Sequence, residues 1–403
     1  MISSLYTALT GLSAFTRQMG IISNNVANVG TTGYKANSVN FAEMLARATS
    51  PVSGDAGGCG VTIQAVSENW TQGTITDASS ETYLAINGYG MFVVKDALND
   101  MPYYTRDGTF SFNKQGYLRT TSGLIVQGYP VDDNGNLGTI GDIRVSYENL
   151  APVATTELSA TLNLSTDAVD GDEFYTTVSI YDSLGNEIPV TITYTKTATA
   201  NEWTWEASIP SEYGSISAGS TGTLVFDTNG ELVSGTDPTF TLTLTNGAAN
   251  QNITWDLYDT AGDTLGLVTQ YSGESVMTDN DQDGSPPGEV TDIAINSSGQ
   301  VVASYSNNEI KVLYVLALAD FNNYDGLTKV DGNLYTATLD SGQAILGTPN
   351  NGRMGSIKPE SLEMSNVDIA SQMANLITAQ TAYQACSKVF TASDEILQIL
   401  MKM

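Results

Sequence analysis

A repeating apolar pattern at both ends of the chain limits the folds that are open to it. Alternating steps of four and three residues through the first thirty positions select apolar side chains alone: Leu5, Ala8, Leu12, Phe15, Met19, Ile22, Val26 and Val29. Apolar residues make up 41% of the sequence, so chance does not account for the run. The pattern is typical of an amphipathic helix with a narrow apolar seam. Gly30 and Gly33 are placed to end that helix.

The carboxyl-terminal end repeats the pattern. After Ser365 and Asn366, a predicted helix cap, the same spacing selects Ile369, Met373, Leu376, Ala379, Tyr383, Cys386, Phe390, Ser393, Leu397 and Leu400. Two amphipathic helices of this kind predict mutual packing. The alternative is that each helix folds back separately on the central part of the chain. An isolated pair with so narrow a seam would be marginal in water, whereas many copies side by side could bury both faces.

Between the two ends the apolar period changes from 3.5 residues to two. The segments that show it best are Phe92–Val94, Val178–Tyr181, Val190–Tyr194, Phe240–Leu244 and Val312–Leu318. Turn dipeptides separate such segments, at Asn87-Gly88, Asp107-Gly108, Asn134-Gly135, Asn229-Gly230, Asn246-Gly247 and Asp331-Gly332. No long helical pattern lies between them. The predicted class is therefore mainly β, with antiparallel sheets and α-helical termini.

Charge and composition suggest a nested, discontinuous arrangement of domains. Residues 151–274 hold 17 acidic residues and a single basic residue, Lys196, so we expect a separate, solvated outer antiparallel β domain. It would be inserted into an inner antiparallel β domain, formed by residues 71–150 and 275–358. Residues 33–70 include the sequence PVSGDAGGCG and are predicted to be a flexible joint. Residues 1–32 and 359–403 would form a terminal domain of coiled-coil helices.

Composition also argues against several classes of function. The 15 basic and 44 acidic residues give a net charge of -29, which disfavours nucleic acid or an anionic membrane surface as a partner. The chain has no histidine, and so lacks the commonest general base and the commonest zinc ligand. Cys59 and Cys386 are too few for a disulfide framework and are expected to be inert thiols. We expect neither a membrane span nor a cleaved signal peptide.

One acidic segment deserves comparison with a calcium-binding loop. In DNDQDGSPPGE, residues 279–289, Asp279, Asp281 and Asp283 have the spacing of EF-hand ligands. Glu289, however, arrives one position too early, and two prolines precede it. We therefore expect a solvated acidic turn with no metal. Nucleotide-binding and hydrolase motifs are also missing from the sequence, so no catalytic residue and no cofactor site is predicted.

Several longer segments resemble the bacterial flagellar rod and hook proteins. NNVANVGTTGYK, residues 24–35, is similar to the amino-terminal signature of that family, and LEMSNVDIASQMANLITAQTAY, residues 362–383, to its carboxyl-terminal signature. INGYGMFVV (86–94), YTRDGTFSFNKQGYL (104–118) and LGTPNNGRMGSI (346–357) resemble the shared inner domain. VSIYDSLGNEIPVTITYTK (178–196) is similar to the outer domain of the hook-type members, which the shorter rod-type members lack. Thr381 departs from the family, because relatives often carry arginine there.

The resemblance implies a structural subunit of the flagellar hook, a curved flexible tube that joins rod to filament as a universal joint and transmits motor torque. It implies further copies of the chain as the main partner, a rod protein at the proximal end and a hook–filament junction protein at the distal end. A hook cap and the type III export apparatus would act during assembly. The expected location is extracellular, in the flagellar hook and basal body. The alternatives are a distal-rod or other axial protein, and an extracellular β-rich binding module or glycan-acting enzyme.

The apolar seams and three asparagines form the predicted assembly interface. Asn24, Asn25 and Asn28 lie along one edge of the first helix. We expect their amides to bond to adjacent subunits or to the following joint and so fix register; alternatively, Asn28 only helps to end the helix. The predicted interface comprises Leu5, Leu12, Phe15, Met19, Ile22, Asn24, Asn25, Val26, Asn28, Val29, Ile369, Met373, Leu376, Tyr383, Phe390, Leu397 and Leu400.

Overall fold

The protein is described from a computed structural model, which covers residues 2–45, 58–97, 99–132, 134–146, 149–233, 235–259 and 261–402. The fold is mainly β, with one α-helix at each end, which confirms the predicted class. The chain divides into two compact units. The first comprises Met1–Ser146, Ile293–Ala303 and Lys311–Met403, and the second Tyr147–Asp292 and Ser304–Ile310.

The amino-terminal part contains one helix and ten strands. They are α1 (Ile2–Ala27), β1 (Asn37–Leu45), β2 (Gly58–Glu68), β3 (Ile75–Asp77), β4 (Leu84–Asn87), β5 (Met91–Lys95), β6 (Pro102–Thr105), β7 (Phe110–Phe112), β8 (Leu118–Thr120), β9 (Ile125–Pro130) and β10 (Gly141–Asp142). Helix α1 ends two residues before Val29. At that end the Asn28 side chain donates to the main-chain oxygen of Asn24, a local bond that competes with further helix.

The region predicted to be a flexible joint contains a β-hairpin. Strands β1 and β2 pair antiparallel from Asn37 opposite Glu68 to Leu45 opposite Gly58. Most of the glycine-rich stretch, residues 51–57, lies outside the described residues. The flanking sequence alternates apolar and polar residues as a strand does, for example at Val61, Ile63 and Ala65. The prediction of a flexible joint followed instead from the glycine-rich composition between the two strands.

The second unit contains ten further strands. They are β11 (Glu157–Ser165), β12 (Glu173–Tyr181), β13 (Glu187–Lys196), β14 (Glu202–Ser208), β15 (Gly214–Ala218), β16 (Thr221–Val225), β17 (Thr239–Leu244), β18 (Gln251–Trp255), β19 (Val268–Tyr271) and β20 (Val276–Gln282). One sheet has the order β15-β17-β18-β11-β19, with β20 also paired to β11, and the other the order β12-β13-β14-β16. Both contribute to a single core that includes Tyr194, Trp203 and Trp255.

The predicted outer domain needs two corrections. First, its sheets are not purely antiparallel, because β11 runs parallel to both β18 and β19. Second, its boundary lies beyond residue 274. Strand β20 was expected in the inner domain, but it pairs antiparallel with β11 along most of its length and so belongs to the second unit.

The carboxyl-terminal part returns to the first unit, apart from the residues up to Asp292 and Ser304–Ile310, and ends in the second helix. Its elements are β21 (Val290–Ile295), β22 (Gln300–Tyr305), β23 (Ile310–Leu316), β24 (Leu318–Asp320), the 3-10 turn Tyr324–Gly326, β25 (Thr328–Val330), β26 (Leu334–Thr336), β27 (Ile345–Gly347), β28 (Ser356–Pro359), β29 (Ser361–Glu363) and α2 (Ile369–Lys402). Strand β28 pairs with β4, and strand β29 pairs with β3. Main-chain hydrogen bonds therefore hold the residues just before α2 against the amino-terminal part of the unit.

Strand β5 lies at the centre of the first unit. Its neighbours in the largest sheet follow the order β23-β9-β5-β6-β26-β25. Phe92 and Val94 point into one hydrophobic cluster, and Met91 and Val93 into another on the opposite face. A strand buried on both faces needs a continuous apolar run, which explains the sequence MFVV at this position.

Candidate assembly site at the chain termini

Helices α1 and α2 pack against each other, as their apolar patterns predicted. Ala379 of α2 is buried in this seam. A Cβ atom placed on Gly11 of α1 would lie 2.9 Å from the Cys386 Sγ. The absence of a side chain at Gly11 therefore lets the two helices approach closely at Cys386.

Helix α1 has a second partner in the β1–β2 hairpin. The rings of Phe15 and Phe41 lie 5.9 Å apart, centroid to centroid. The main-chain nitrogen of Val61 donates to Thr10 Oγ1 at 3.3 Å. Ile22 is buried, and the other apolar members of the predicted amino-terminal interface are half-buried, namely Leu5, Leu12, Phe15, Met19, Val26 and Val29. A single chain thus covers much of the seam that we expected to be free for neighbouring copies.

The residues of the predicted α2 seam differ in burial. Leu376, Phe390 and Leu397 are half-buried, whereas Ile369, Met373 and Tyr383 are exposed; the side chain of Leu400 lies outside the described residues. A repeat of 3.5 residues drifts around a helix that has 3.6 residues per turn. The residues selected by that repeat therefore cannot all face the same neighbour along a straight helix.

Two pairs of large apolar side chains lie on the side of α2 that faces away from α1. By helical spacing, Ile377 and Ile399 lie across the helix from Ala379, and Met373 and Ile396 flank them. All four are exposed in the chain described here, Ile377 by 63% and Ile399 by 61%. We call Met373, Ile377, Ile396 and Ile399 the outer face of α2. Met373 and Ile377 form one exposed apolar patch, and Ile396 and Ile399 form a second; the residues on this side of the helix between the two patches are mostly polar. Exposed apolar patches of this kind are candidate interaction sites in soluble proteins.

Asn25 is buried where α1, β1 and α2 meet. Its side-chain oxygen accepts a hydrogen bond from the Asn37 main-chain nitrogen at 2.9 Å, and its side-chain nitrogen donates to the Asn37 carbonyl oxygen at 2.8 Å. The same nitrogen donates to the Gln372 side chain at 3.1 Å. One carboxamide therefore fixes the first residue of the hairpin and a turn of α2 relative to α1.

The other two asparagines of the signature act locally. The Asn28 side-chain nitrogen donates to the side-chain and main-chain oxygens of Asn24, at 2.8 and 2.9 Å. Tyr34 donates from its hydroxyl to the Asn24 side chain at 3.1 Å. Asn28 thus matches the alternative in which it helps to end the helix, while Asn25 makes the bond to the following segment.

A buried group of three charges joins both chain ends to the β core. The Lys35 Nζ lies 2.6 Å from Glu363 Oε1, and the Arg106 Nη1 lies 3.1 Å from Glu363 Oε2. Both cations also donate to main-chain carbonyl oxygens, Lys35 to that of Thr71 and Arg106 to that of Gly88. Burial lowers the pKa of Lys35, and the Glu363 carboxylate opposes that shift.

The start of α2 differs from the predicted cap. The helix is capped by Asp368, whose Oδ1 accepts from the Ala370 main-chain nitrogen at 2.9 Å. Asn366 instead accepts from the Ala36 main-chain nitrogen at 2.8 Å and donates to the Asn69 carbonyl oxygen at 2.7 Å. Lys35, Glu363 and Asn366 lie within or beside the two signature segments, yet sequence reasoning gave none of them its structural role.

The acidic segment at residues 279–289 is not arranged as a calcium loop. Asp279 and Asp281 lie on strand β20. The Asp283 carboxylate accepts from the main-chain nitrogens of Thr156 and Glu157, at 2.7 and 2.9 Å, and so holds the start of β11. Within the described ranges, no cluster of three or more potential metal ligands occurs.

The helices described here are also not apolar enough over sufficient length to cross a membrane.

Family models match the two chain ends and the second unit. Residues 5–35 match the flagella basal body rod protein family, and residues 358–403 match the carboxyl-terminal family of flagellar basal body rod FlgEFG proteins. Residues 149–285 match the flagellar basal body protein FlaE D2 domain. The matches at both chain ends define the class of flagellar rod and hook proteins, and the match of the second unit adds the D2 domain.

Relatives that match over the full chain are hook proteins. The chain is 32% identical over 421 residues to the flagellar hook protein FlgE of Salmonella typhimurium, covering 99% of this chain and 100% of the relative. It is 31% identical over 416 residues to the corresponding Escherichia coli protein, covering 98% of each. The chain belongs to the flagellar hook protein family. A crystal structure of a flagellar hook protein from Helicobacter pylori shares the fold, with a TM-score of 0.53 at 16% identity over 72% of this chain and 100% of that one.

Proposed function

We propose that this chain is a structural subunit that polymerises with further copies of itself into the flagellar hook, a curved flexible tube that couples rod to filament. The outer face of α2 carries the proposal. Fully burying one isoleucine side chain is worth about 1.5–3 kcal/mol, so the four apolar side chains favour association once a neighbour covers them. Further copies of α1 and α2 are the expected cover, because these helices already pack against each other through apolar side chains within one chain.

The mechanical role requires stiffness and flexibility in different parts of the subunit. The Asn25 bonds and the Lys35–Glu363–Arg106 group fasten the terminal helices to the first unit, so torque applied to the helices passes into the β core. The second unit is strongly acidic. Copies of it repel one another except where salt screens them, which favours few contacts and easy sliding as the tube bends during rotation.

The proposal extends to partners and location. A rod protein would bind at the proximal end of the tube, and a hook–filament junction protein at the distal end. A hook cap and the type III export apparatus would act during growth, with the subunit exported without cleavage of a signal peptide. The assembled tube would be extracellular. Because the work of such a subunit is structural, we assign it no catalytic residue, metal or cofactor.

Electron microscopy of the purified full-length chain tests the proposal. Concentration in buffers of increasing salt should produce tubes, because salt weakens the repulsion between acidic units while leaving apolar burial intact. Light scattering on the same samples measures the onset of polymerisation. A chain that remains monomeric at every salt and protein concentration would contradict the assignment.

A further inference from the structure

Five asparagine–glycine pairs differ in how firmly the structure holds their reactive atoms. In such a pair the glycine main-chain nitrogen can attack the asparagine side-chain carbonyl carbon, since glycine has no side chain to obstruct the approach. The pairs that can be compared within the described residues are Asn87-Gly88, Asn134-Gly135, Asn229-Gly230, Asn246-Gly247 and Asn351-Gly352.

Three of these pairs are protected because the attacking nitrogen is already a hydrogen-bond donor. The Gly88 nitrogen donates to the Gln72 side chain at 3.1 Å. The Gly135 and Gly230 nitrogens donate to the carbonyl oxygens of Asp132 and Asp227, at 2.9 and 3.2 Å. Each of these bonds must open before the glycine nitrogen can react.

A fourth pair is protected at the side chain. The Asn246 carboxamide donates to the Asp182 carboxylate and accepts from the Ala248 main-chain nitrogen at 3.0 Å. Both ends of the amide are therefore held away from the Gly247 nitrogen.

The fifth pair has neither form of protection. Asn351 and Gly352 are both exposed, and no atom lies within 4 Å of the position a Cβ would take on Gly352. Among the described residues, the Asn351 side chain and the Gly352 nitrogen make no hydrogen bond. Over the described ranges, Asn351 bonds only through its main chain: its nitrogen donates to the Thr348 carbonyl oxygen at 3.3 Å, and its carbonyl oxygen accepts from the Met354 nitrogen at 3.1 Å.

We propose that Asn351-Gly352 is a site of spontaneous deamidation in the folded protein. The Gly352 nitrogen forms a bond to the Asn351 side-chain carbon, the bond from that carbon to the amide nitrogen breaks, and ammonia leaves with the proton that the glycine nitrogen gives up. Water then opens the five-membered imide at one of its two carbonyls. The products are aspartate and isoaspartate, and no oxidant or reductant takes part.

The modification would change the local charge and the length of the main chain. Arg353 lies next in sequence, with its Nε 3.6 Å from the Asp320 carboxylate and its guanidinium 5.5 Å from the centre of the Tyr89 ring. A new carboxylate at position 351 would compete with Asp320 for this guanidinium. Opening to isoaspartate would also add a methylene to the turn that the Met354 bond closes.

Peptide mass spectrometry on the aged full-length chain tests the proposal. The folded protein is incubated in mildly alkaline buffer, samples are digested under acidic conditions, and the conversion of amide to acid is followed for the five pairs. The matched control is the same chain unfolded in urea, where all five glycine nitrogens are free. Asn351→Gln removes the fast site and confirms its assignment.

In the folded chain, Asn351 should deamidate about fivefold or more faster than Asn134 and Asn229, the factor to which one ordinary hydrogen bond corresponds. In urea the pairs should react at similar rates. Equal rates for Asn351, Asn134 and Asn229 in the folded chain would overturn the proposal, and so would a large preference for Asn351 that persists unchanged after unfolding.

Discussion

The Lys35 Nζ and the Glu363 Oε1 form an ion pair of 2.6 Å between residues 328 positions apart in sequence, and both side chains are only 1% exposed. Lys35 ends the amino-terminal signature segment, and Glu363 lies just before α2. The pair therefore joins the two ends of the chain at the point where each leaves the β core for its helix.

Removing the Glu363 charge should destabilise the first unit strongly. Glu363→Gln would leave Lys35 and Arg106 buried without a counter-charge, and breaking a buried ion pair in this way costs about 3–5 kcal/mol. Urea unfolding monitored by hydrogen exchange in β3 and β4 measures the effect. Asp77→Asn is the matched control, because it breaks the solvent-exposed Lys358–Asp77 pair and should change stability little. Similar losses in the two variants would contradict the assigned role.

Asn25 and Asn28 should respond very differently to substitution. Asn25→Ala would leave the Asn37 main-chain nitrogen and oxygen unpaired, at about 1–3 kcal/mol for each group that stays buried. Asn28→Ala removes bonds within one turn, and we expect a loss below about 1 kcal/mol. Exchange of the Asn37 amide hydrogen should accelerate only in Asn25→Ala. If Asn25→Ala also assembles into normally curved tubes, its proposed part in fixing register is wrong.

Gly11→Ala should have opposite effects on stability in the parent chain and in a Cys386→Ala background. Gly11→Ala places a Cβ against the Cys386 Sγ, and such overpacking costs about 1–3 kcal/mol. In a Cys386→Ala background the sulfur is absent, so Gly11→Ala should stabilise by up to about 1 kcal/mol through helix propensity. Thermal unfolding of the four chains closes the cycle. A stabilising Gly11→Ala in the parent chain would show that the helices are not in close contact at this point.

Tyr194 should contribute to loss of stability in alkali. Burial raises its pKa above that of the unfolded chain, so above about pH 10 the unfolded state loses the proton first and stability falls with rising pH. The Tyr194 hydroxyl has no hydrogen-bond partner in the described part of the chain. Tyr194→Phe should therefore be at least as stable at neutral pH, with a shallower alkaline decline. Tyr175→Phe, at an exposed position, should retain the parent slope.

The apolar periodicity of short segments predicted individual helices and strands, because each of these forms largely through residues close together in sequence. The apolar runs of β5, β12, β13 and β17 appear as strands, and both terminal helices appear where the seams predicted them. The pairing of strands that lie far apart in sequence was not predicted. The parallel alignment of β11 with β18 and β19 depends on partners that the sequence order does not specify, because strands of equal polarity pattern can exchange neighbours.

The site was only partly predictable. The asparagines stood out as poor helix formers within a helix, which directed attention to Asn25. The Lys35–Glu363–Arg106 group was missed because its three members lie in separate segments, and each taken alone is an ordinary surface residue type. Of the outer face of α2, only Met373 was predicted. Ile377, Ile396 and Ile399 were missed because the 3.5-residue repeat selects residues on another side of the same helix.

The outer face of α2 is the part of the account that assembly tests most directly. The measurement is electron microscopy and light scattering of the double variant Ile377→Ser/Ile399→Ser, concentrated in high salt beside the parent chain. Leu339→Ser is the control, since Leu339 is a fully exposed apolar residue remote in sequence from α2. The account predicts tubes from the parent and the control and none from the double variant, with the variant monomer still folded. Normal tubes from the double variant would contradict it.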